Sequence, residues 1–151
     1  MAKKTWNQKL HSNNNMPRVE ILDCMWAARL GPRMLMVPAL DYNMIMGKVL
    51  RGKVITTEQM RAHFAQKHNA DWTCGLTAGI FVNTCAHAAI ERGDKDFPYW
   101  RTLKKQGELC EKFPDGIDGH KLLLEMEGHK VIQKGKRYFV ENYEEKLHKI
   151  D

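Results

Sequence analysis

Thr56, followed three residues later by Gln59, is the feature that most limits how this chain can fold. A hydroxyl and an amide at that spacing can satisfy each other's backbone N–H groups at the first turn of a helix. The helix it opens carries Met60 and Phe64 inward, and the polar run His68-Asn69-Ala70-Asp71 reads as the turn that ends it. A second helix follows, roughly Leu76 to Arg92, with Ile80, Cys85, Ala88 and Ala89 on one face and Gly93 just past its end. Two helices joined by a short turn, the second rich in small residues, predict a helix-turn-helix.

The flanking segments read less sharply. Residues 1–40 are expected to be a basic extension that packs on the domain, with one short helix over Glu20–Leu30. From Asp41, Met44, Ile45 and Val49 repeat at helical spacing up to Arg51-Gly52, and Val54-Ile55 suits a short extended link. Phe97 to Leu103 reads as extended, Lys104 to Gly107 as a turn, and Asp118 as the N-cap of a helix closed by Gly128. Val131 and Ile132 are expected to pair with Tyr138 and Val140 across Lys134-Gly135. Tyr143, Leu147 and Ile150 recur at helical spacing, which predicts a final helix. The expected architecture is α+β and mostly helical: an extension (1–40), then a winged helix-turn-helix domain with a hairpin wing and a C-terminal helix (41–151).

Composition narrows the function. A formal net charge of +6 on 151 residues favours polyanionic partners without specifying one. No apolar run approaches the roughly 18 residues that span a bilayer, so no membrane partner is expected. The stretch Met1 to Leu10 is basic and lacks the apolar region of a secretory signal, which makes the cytoplasm the expected compartment. Cys24, Cys74, Cys85 and Cys110 are scattered and form no C-x-x-C pair, so reduced thiols are expected. Cys85 and His87, two apart on one helix, point to different faces, and neither a metal nor another cofactor is expected.

The runs Arg51-Gly52-Lys53-Val54-Ile55-Thr56-Thr57, Leu76-Thr77-Ala78-Gly79, Pro98-Tyr99-Trp100-Arg101, Asp115-Gly116 and Leu123-Leu124-Glu125-Met126-Glu127-Gly128 follow one another in an order that resembles a known family. It is the DNA-binding domain of the 6-O-alkylguanine-DNA alkyltransferases, and the resemblance is closer to their alkyltransferase-like relatives. It spans about Asp41 to Gln133. It implies a winged helix-turn-helix that enters the DNA minor groove and a pocket for a flipped guanine. In the family a cysteine in a P-C-H-R motif accepts the alkyl group, helped by a histidine and a glutamate. Here Tyr99 stands at the position of the cysteine and Trp100 at that of the histidine, while Pro98, Arg101 and Glu127 keep the pattern. The family's intercalating arginine falls on Leu76, and its phosphate-rotating tyrosine falls on Thr57. A phenol and an indole cannot replace a thiolate and its base. The resemblance therefore implies a protein that binds double-stranded DNA, with alkylated DNA as the narrower target, and that transfers no alkyl group.

On this reading Thr56, Thr57, Leu76, Thr77, Gly79, Arg101, Lys134 and Lys136 contact DNA, and Pro98, Tyr99, Trp100 and Glu127 line the base pocket. Each has a plainer alternative. Thr56 can be a cap only, and the basic turns can be solvated surface. Arg101 can hold loops by bonding to carbonyls, and Tyr99 with Trp100 can fill the space of a lost active site. Leu76 can wedge into a base stack, as apolar side chains of minor-groove binders do, or face the core at the helix start, which is the preferred reading. The rival class is a protein-interaction module that kept the fold and lost DNA.

Overall fold

A computed structural model describes residues 3–150. The chain opens with α1 (Trp6–His11), started by a second capping box in which Thr5 and Gln8 serve each other. The predicted helix Glu20–Leu30 forms only in its second half. Glu20 and Ile21 belong instead to β1 (Arg18–Ile21), and the helix α2 is confined to Met25–Leu30. The cause is pairing: β1 runs antiparallel to β2 (Arg33–Met36), with Arg18 opposite Met36 and Ile21 opposite Arg33. The ladder uses the backbone groups that a longer helix would need. No residue of α2 is buried.

The next helix, α3 (Ala39–Met46), starts behind Pro38 and stops at Gly47, short of the expected Gly52. Its inward face is Ala39, Tyr42 and Met46, while Met44 points to solvent. A turn leads to β3 (Ile55–Thr56) and then to α4 (Thr57–Lys67). The capping box closes there as its spacing requires: the Gln59 N–H donates to the Thr56 hydroxyl at 3.2 Å and the Thr56 N–H to Gln59 Oε1 at 2.9 Å. Met60 and Phe64 are buried. After the turn, β4 (Trp72–Thr73) pairs parallel to β2 and so ties the first forty residues to the helix pair. The long helix α5 (Gly75–Glu91) follows.

Residues Tyr99–Arg101 form a 3₁₀ turn rather than the expected extended run, and only β5 (Thr102–Leu103) is strand, parallel to β3. A second 3₁₀ turn covers Lys105–Gly107. Helix α6 (Gly116–Met126) begins before Asp118, which lies in its first turn; the N-cap is Asp115. Strands β6 (Val131–Lys134) and β7 (Arg137–Val140) make the expected hairpin, with Ile132 opposite Phe139 and Val131 opposite Val140. The predicted C-terminal helix is a short 3₁₀ turn, Tyr143–Lys146, because Leu147 bridges Val54 as extended chain.

Two apolar clusters hold these parts. The larger joins α1, α3, α4 and α5 through Leu10, Tyr42, Met60, Phe64, Val82 and Ala89, with the Tyr42 ring edge-on to Phe64 at 5.0 Å. The smaller packs Val54, Leu103, Leu109, Leu124 and Val140 under the hairpin. Burying a side chain of that size contributes about 1.5–3 kcal/mol. This is what sets α5 firmly against the segment 99–113.

Candidate nucleic-acid interface

Ala78, Val82, Cys85, Ala86, Ala88 and Ala89 turn α5 inward and leave Leu76, Gly79 and Ile80 on the opposite face at helical spacing. Leu76 is 76% exposed, and a Cβ added at Gly79 would meet nothing within 4 Å. The expectation that Leu76 faces the core is therefore corrected. With Ala78 and Val82 pointing inward, a side chain two positions before Ala78 must point away. Ile80, expected on the buried face, is also outward at 53% exposure.

A cleft of about 560 Å³ runs beside this face. Its far wall is residues 102–113, one end is Thr57 and Arg61 of α4, and Trp6 and Lys9 of α1 close a third side. The floor is apolar, with the buried Val82 and Phe113, while Leu76 and Ile80 stand exposed at the mouth. Around it stand Lys9, Arg61, Lys104, Lys105 and Lys112 against a single carboxylate, Glu111. Among the described residues only Lys104 of these cations is paired with an acid, 3.4 Å from Glu111 and 3.9 Å from Glu108. Arg61 is held across the start of α5: its Nε donates to the Thr73 carbonyl at 3.0 Å, and its guanidinium lies 3.1 Å from where a Cβ on Gly75 would be. Glycine at that position makes room for the cation. Such a cleft attracts a chain of phosphates at its rim and an apolar or aromatic group at its floor.

Behind the far wall the aromatic rings are packed, not open. Tyr99 is 5% exposed and sits edge-on to Phe113 at 5.5 Å and to Trp100 at 5.4 Å. Phe113 lines the cleft; Pro98, Tyr99, Trp100 and Glu127 do not. The base pocket expected from those four residues is not part of this cleft: Tyr99 is buried, and Glu127 has its side chain turned inward. Burial raises the pKa of the Tyr99 phenol, and the Asp115 charge adds to it. Glu127 is taken by Arg101, whose Nη2 donates to Oε2 at 2.6 Å and whose Nε donates to Oε1 at 2.9 Å. Burial opposes ionisation of Glu127, yet the Arg101 guanidinium holds its carboxyl below the usual range.

His120 braces the same wall. It is fully buried; its Nδ1 accepts from the Cys110 N–H at 3.1 Å, and its Nε2–H donates to the Trp100 carbonyl at 2.7 Å. Burial holds the imidazole neutral, with its pKa down to about 4.

No protein-family description matches the chain, and no curated protein does. Among solved structures it matches that of Atl1 from S. pombe, described as a complex with damaged DNA containing O6-carboxymethylguanine. The TM-score is 0.50 at 17% identity, over 74% of this chain and 94% of that one. The fold is alkyltransferase-like. Within this alkyltransferase-like fold Thr57 and Leu76 lie on the cleft, with Gly79 between Leu76 and Ile80. Thr56 is 5% exposed and serves as the α4 cap, and Thr77 turns its hydroxyl to the Cys74 carbonyl at 3.4 Å. Arg101 bonds to Glu127 and to the Val49 carbonyl at 2.6 Å, the loop-holding role that was its plainer alternative. Lys134 and Lys136 are exposed on the hairpin, Lys134 over the Phe139 ring at 5.5 Å. Cys85 is buried with its thiol on the Ala39 carbonyl, while the His87 Nε2–H donates to Lys112, so the two face different surroundings.

Sequence reasoning missed Trp6, Lys9, Arg61 and Lys112 as cleft residues. Trp6 and Lys9 carried one signal, the Thr5–Gln8 capping box that makes them helical. Arg61 and Lys112 reach the cleft through tertiary packing, which no local pattern records.

Proposed function

We propose that the protein is a DNA-binding protein of alkyltransferase-like type that transfers no alkyl group. In this reading α4 and α5 are a helix-turn-helix, the β6–β7 hairpin is its wing, and α5 lays its Leu76–Gly79–Ile80 face on duplex DNA. The observation that carries it is the cationic cleft along α5 with an unsupported leucine at its mouth. Lys105, Lys112 and Arg61 neutralise phosphates. Leu76 is the apolar wedge at the place where the resemblance puts an intercalating arginine, and the floor around Phe113 takes a displaced base.

The groups at hand support the absence of transfer. Tyr99 lies behind Phe113 as a phenol held protonated. The cleft's own thiol, Cys110, has its pKa raised by burial, and a protonated thiol is a poor nucleophile. His120 bonds to the Cys110 backbone rather than its sulfur, and both its nitrogens are occupied, so it cannot draw off the thiol proton.

Fluorescence anisotropy with a plain duplex and the same duplex carrying 6-O-methylguanine tests the reading. Binding that weakens steeply with salt is expected, with a log–log slope of about −0.9 for each phosphate neutralised. Tighter binding to the methylated duplex supports damage sensing, and equal affinities leave general DNA binding. No measurable binding at about 50 mM salt, where phosphate contacts are strongest, refutes the proposal. Intact mass after incubation with alkylated DNA is expected to show no added alkyl group on the protein.

A second reading has its own observation. Ile21, Met25, Trp26 and Leu30 are exposed around α2, an apolar surface of the kind that protein partners cover. A partner bound equally well in high salt supports it.

A further inference from the structure

Helix α1 touches the cleft although nothing in the resemblance accounts for it. The helix is fixed on α5: the Glu91 carboxylate accepts from the Trp6 and Asn7 N–H groups at 3.0 and 3.1 Å, and Asn7 Nδ2 donates to the Ala88 carbonyl at 3.0 Å. The Trp6 ring stacks on His87 at 4.5 Å with 19° between planes. Its other role is to hold a charge, since Lys9 Nζ sits 4.5 Å from the ring centroid. Trp6 and Lys9 both line the cleft, and the Lys112 carbonyl on the opposite wall accepts from the same His87. The helix carries no acid of its own, and the nearby acid Glu91 is occupied with backbone N–H groups.

We infer that α1 is a third wall of the DNA interface, with Lys9 as a phosphate ligand pre-set by the Trp6 ring. This rests on the DNA-binding reading above. A lysine held over a ring loses less side-chain freedom on meeting a phosphate than a free surface lysine, so it favours one position of the backbone. The stack Trp6–His87 and the bond from His87 to Lys112 join α1 to the far wall. Lys9, held over its ring, and Lys112, on the opposite wall, thus flank one groove, an arrangement that can neutralise phosphates of a strand lying in it.

The experiment is a salt titration of duplex binding by the full chain and by K9Q, with K67Q as control. Lys67 is exposed on α4 and lines a different cavity, beside Asp41 and His63. K9Q is expected to lower the slope magnitude by about 0.9, the loss of one phosphate contact, with thermal stability unchanged. K67Q is expected to leave the slope as it is. An unchanged slope in K9Q overturns the inference, and so does an equal fall in both variants, which means diffuse charge. W6L is expected to weaken binding in the same salt-dependent way, because Lys9 loses its support. If the unmodified protein binds no duplex, the DNA-binding reading fails first; if it binds and K9Q behaves as K67Q, only the role of α1 fails.

Discussion

Replacing His120 by phenylalanine should uncouple two effects that the wild-type protein combines. In the fold this imidazole is neutral, its pKa down to about 4 from an ordinary 6.5, because burial penalises the charged form. The unfolded chain therefore binds a proton that the native chain refuses between those two values. Stability is full above pH 6.5 and falls as the pH drops toward 4, at about 1.4 kcal/mol per pH unit. Between pH 7.5 and 4.5 this one residue costs the wild type roughly 2–3 kcal/mol. Phenylalanine keeps the apolar contact with Phe113, 4.9 Å from the imidazole, but orphans the Cys110 N–H and the Trp100 carbonyl. Leaving two buried groups unpaired costs about 2–4 kcal/mol at any pH. Urea unfolding at both pH values measures the result: the variant should be clearly less stable at pH 7.5, and the gap should shrink by roughly 2–3 kcal/mol at pH 4.5. His129, whose pKa burial also lowers, is common to both proteins and cancels. A gap of the same size at both pH values would refute the reasoning.

Arg101→Ala should cost about 3–5 kcal/mol in the same urea assay, because it leaves the Glu127 carboxylate, whose side chain is only 4% exposed, with only the exposed Arg51 at 4.0 Å. Leu76→Ala should leave stability within about 0.5 kcal/mol, as its side chain stands in solvent, yet weaken duplex binding by about 1–2 kcal/mol in anisotropy. Tyr99→Cys should gain no alkyl group from 6-O-methylguanine DNA by intact mass, since the new thiol would lie behind Phe113 with an indole in place of a base. Gly107→Ala should lower the melting temperature, because Gly107 has φ +81° and a Cβ there would lie 2.5 Å from Tyr143 Cδ1.

What the sequence revealed and what it concealed divide along physical lines. The capping box at Thr56, the turn at His68–Asp71 and Gly93 past α5 are local signals, and the helix pair stands where they put it. The hairpin around Gly135 is local too, and it forms. Failures arose where partners distant in sequence decide. Glu20 and Ile21 join a strand because Met34 and Arg33 lie opposite them. Leu147 leaves helical spacing because Val54 takes it as extended chain. At the site, the resemblance could put Tyr99 at a cysteine's position but could not say that the Phe113 ring packs against it. It could not orient Leu76, since one residue at a helix start fits either face; the inward run from Ala78 to Ala89 decides that only in three dimensions. The cations of the cleft come from four separate stretches, so no window of sequence displays them together.

Hydrogen exchange of the full chain with and without a saturating duplex at low salt tests the central claim most directly, because it reports where DNA lies. The account predicts slowed exchange in the first half of α5 and in residues 102–113, with the backbone around α2 unchanged. Protection confined to α2 and β1, with the cleft exchanging as in the free protein, would contradict it.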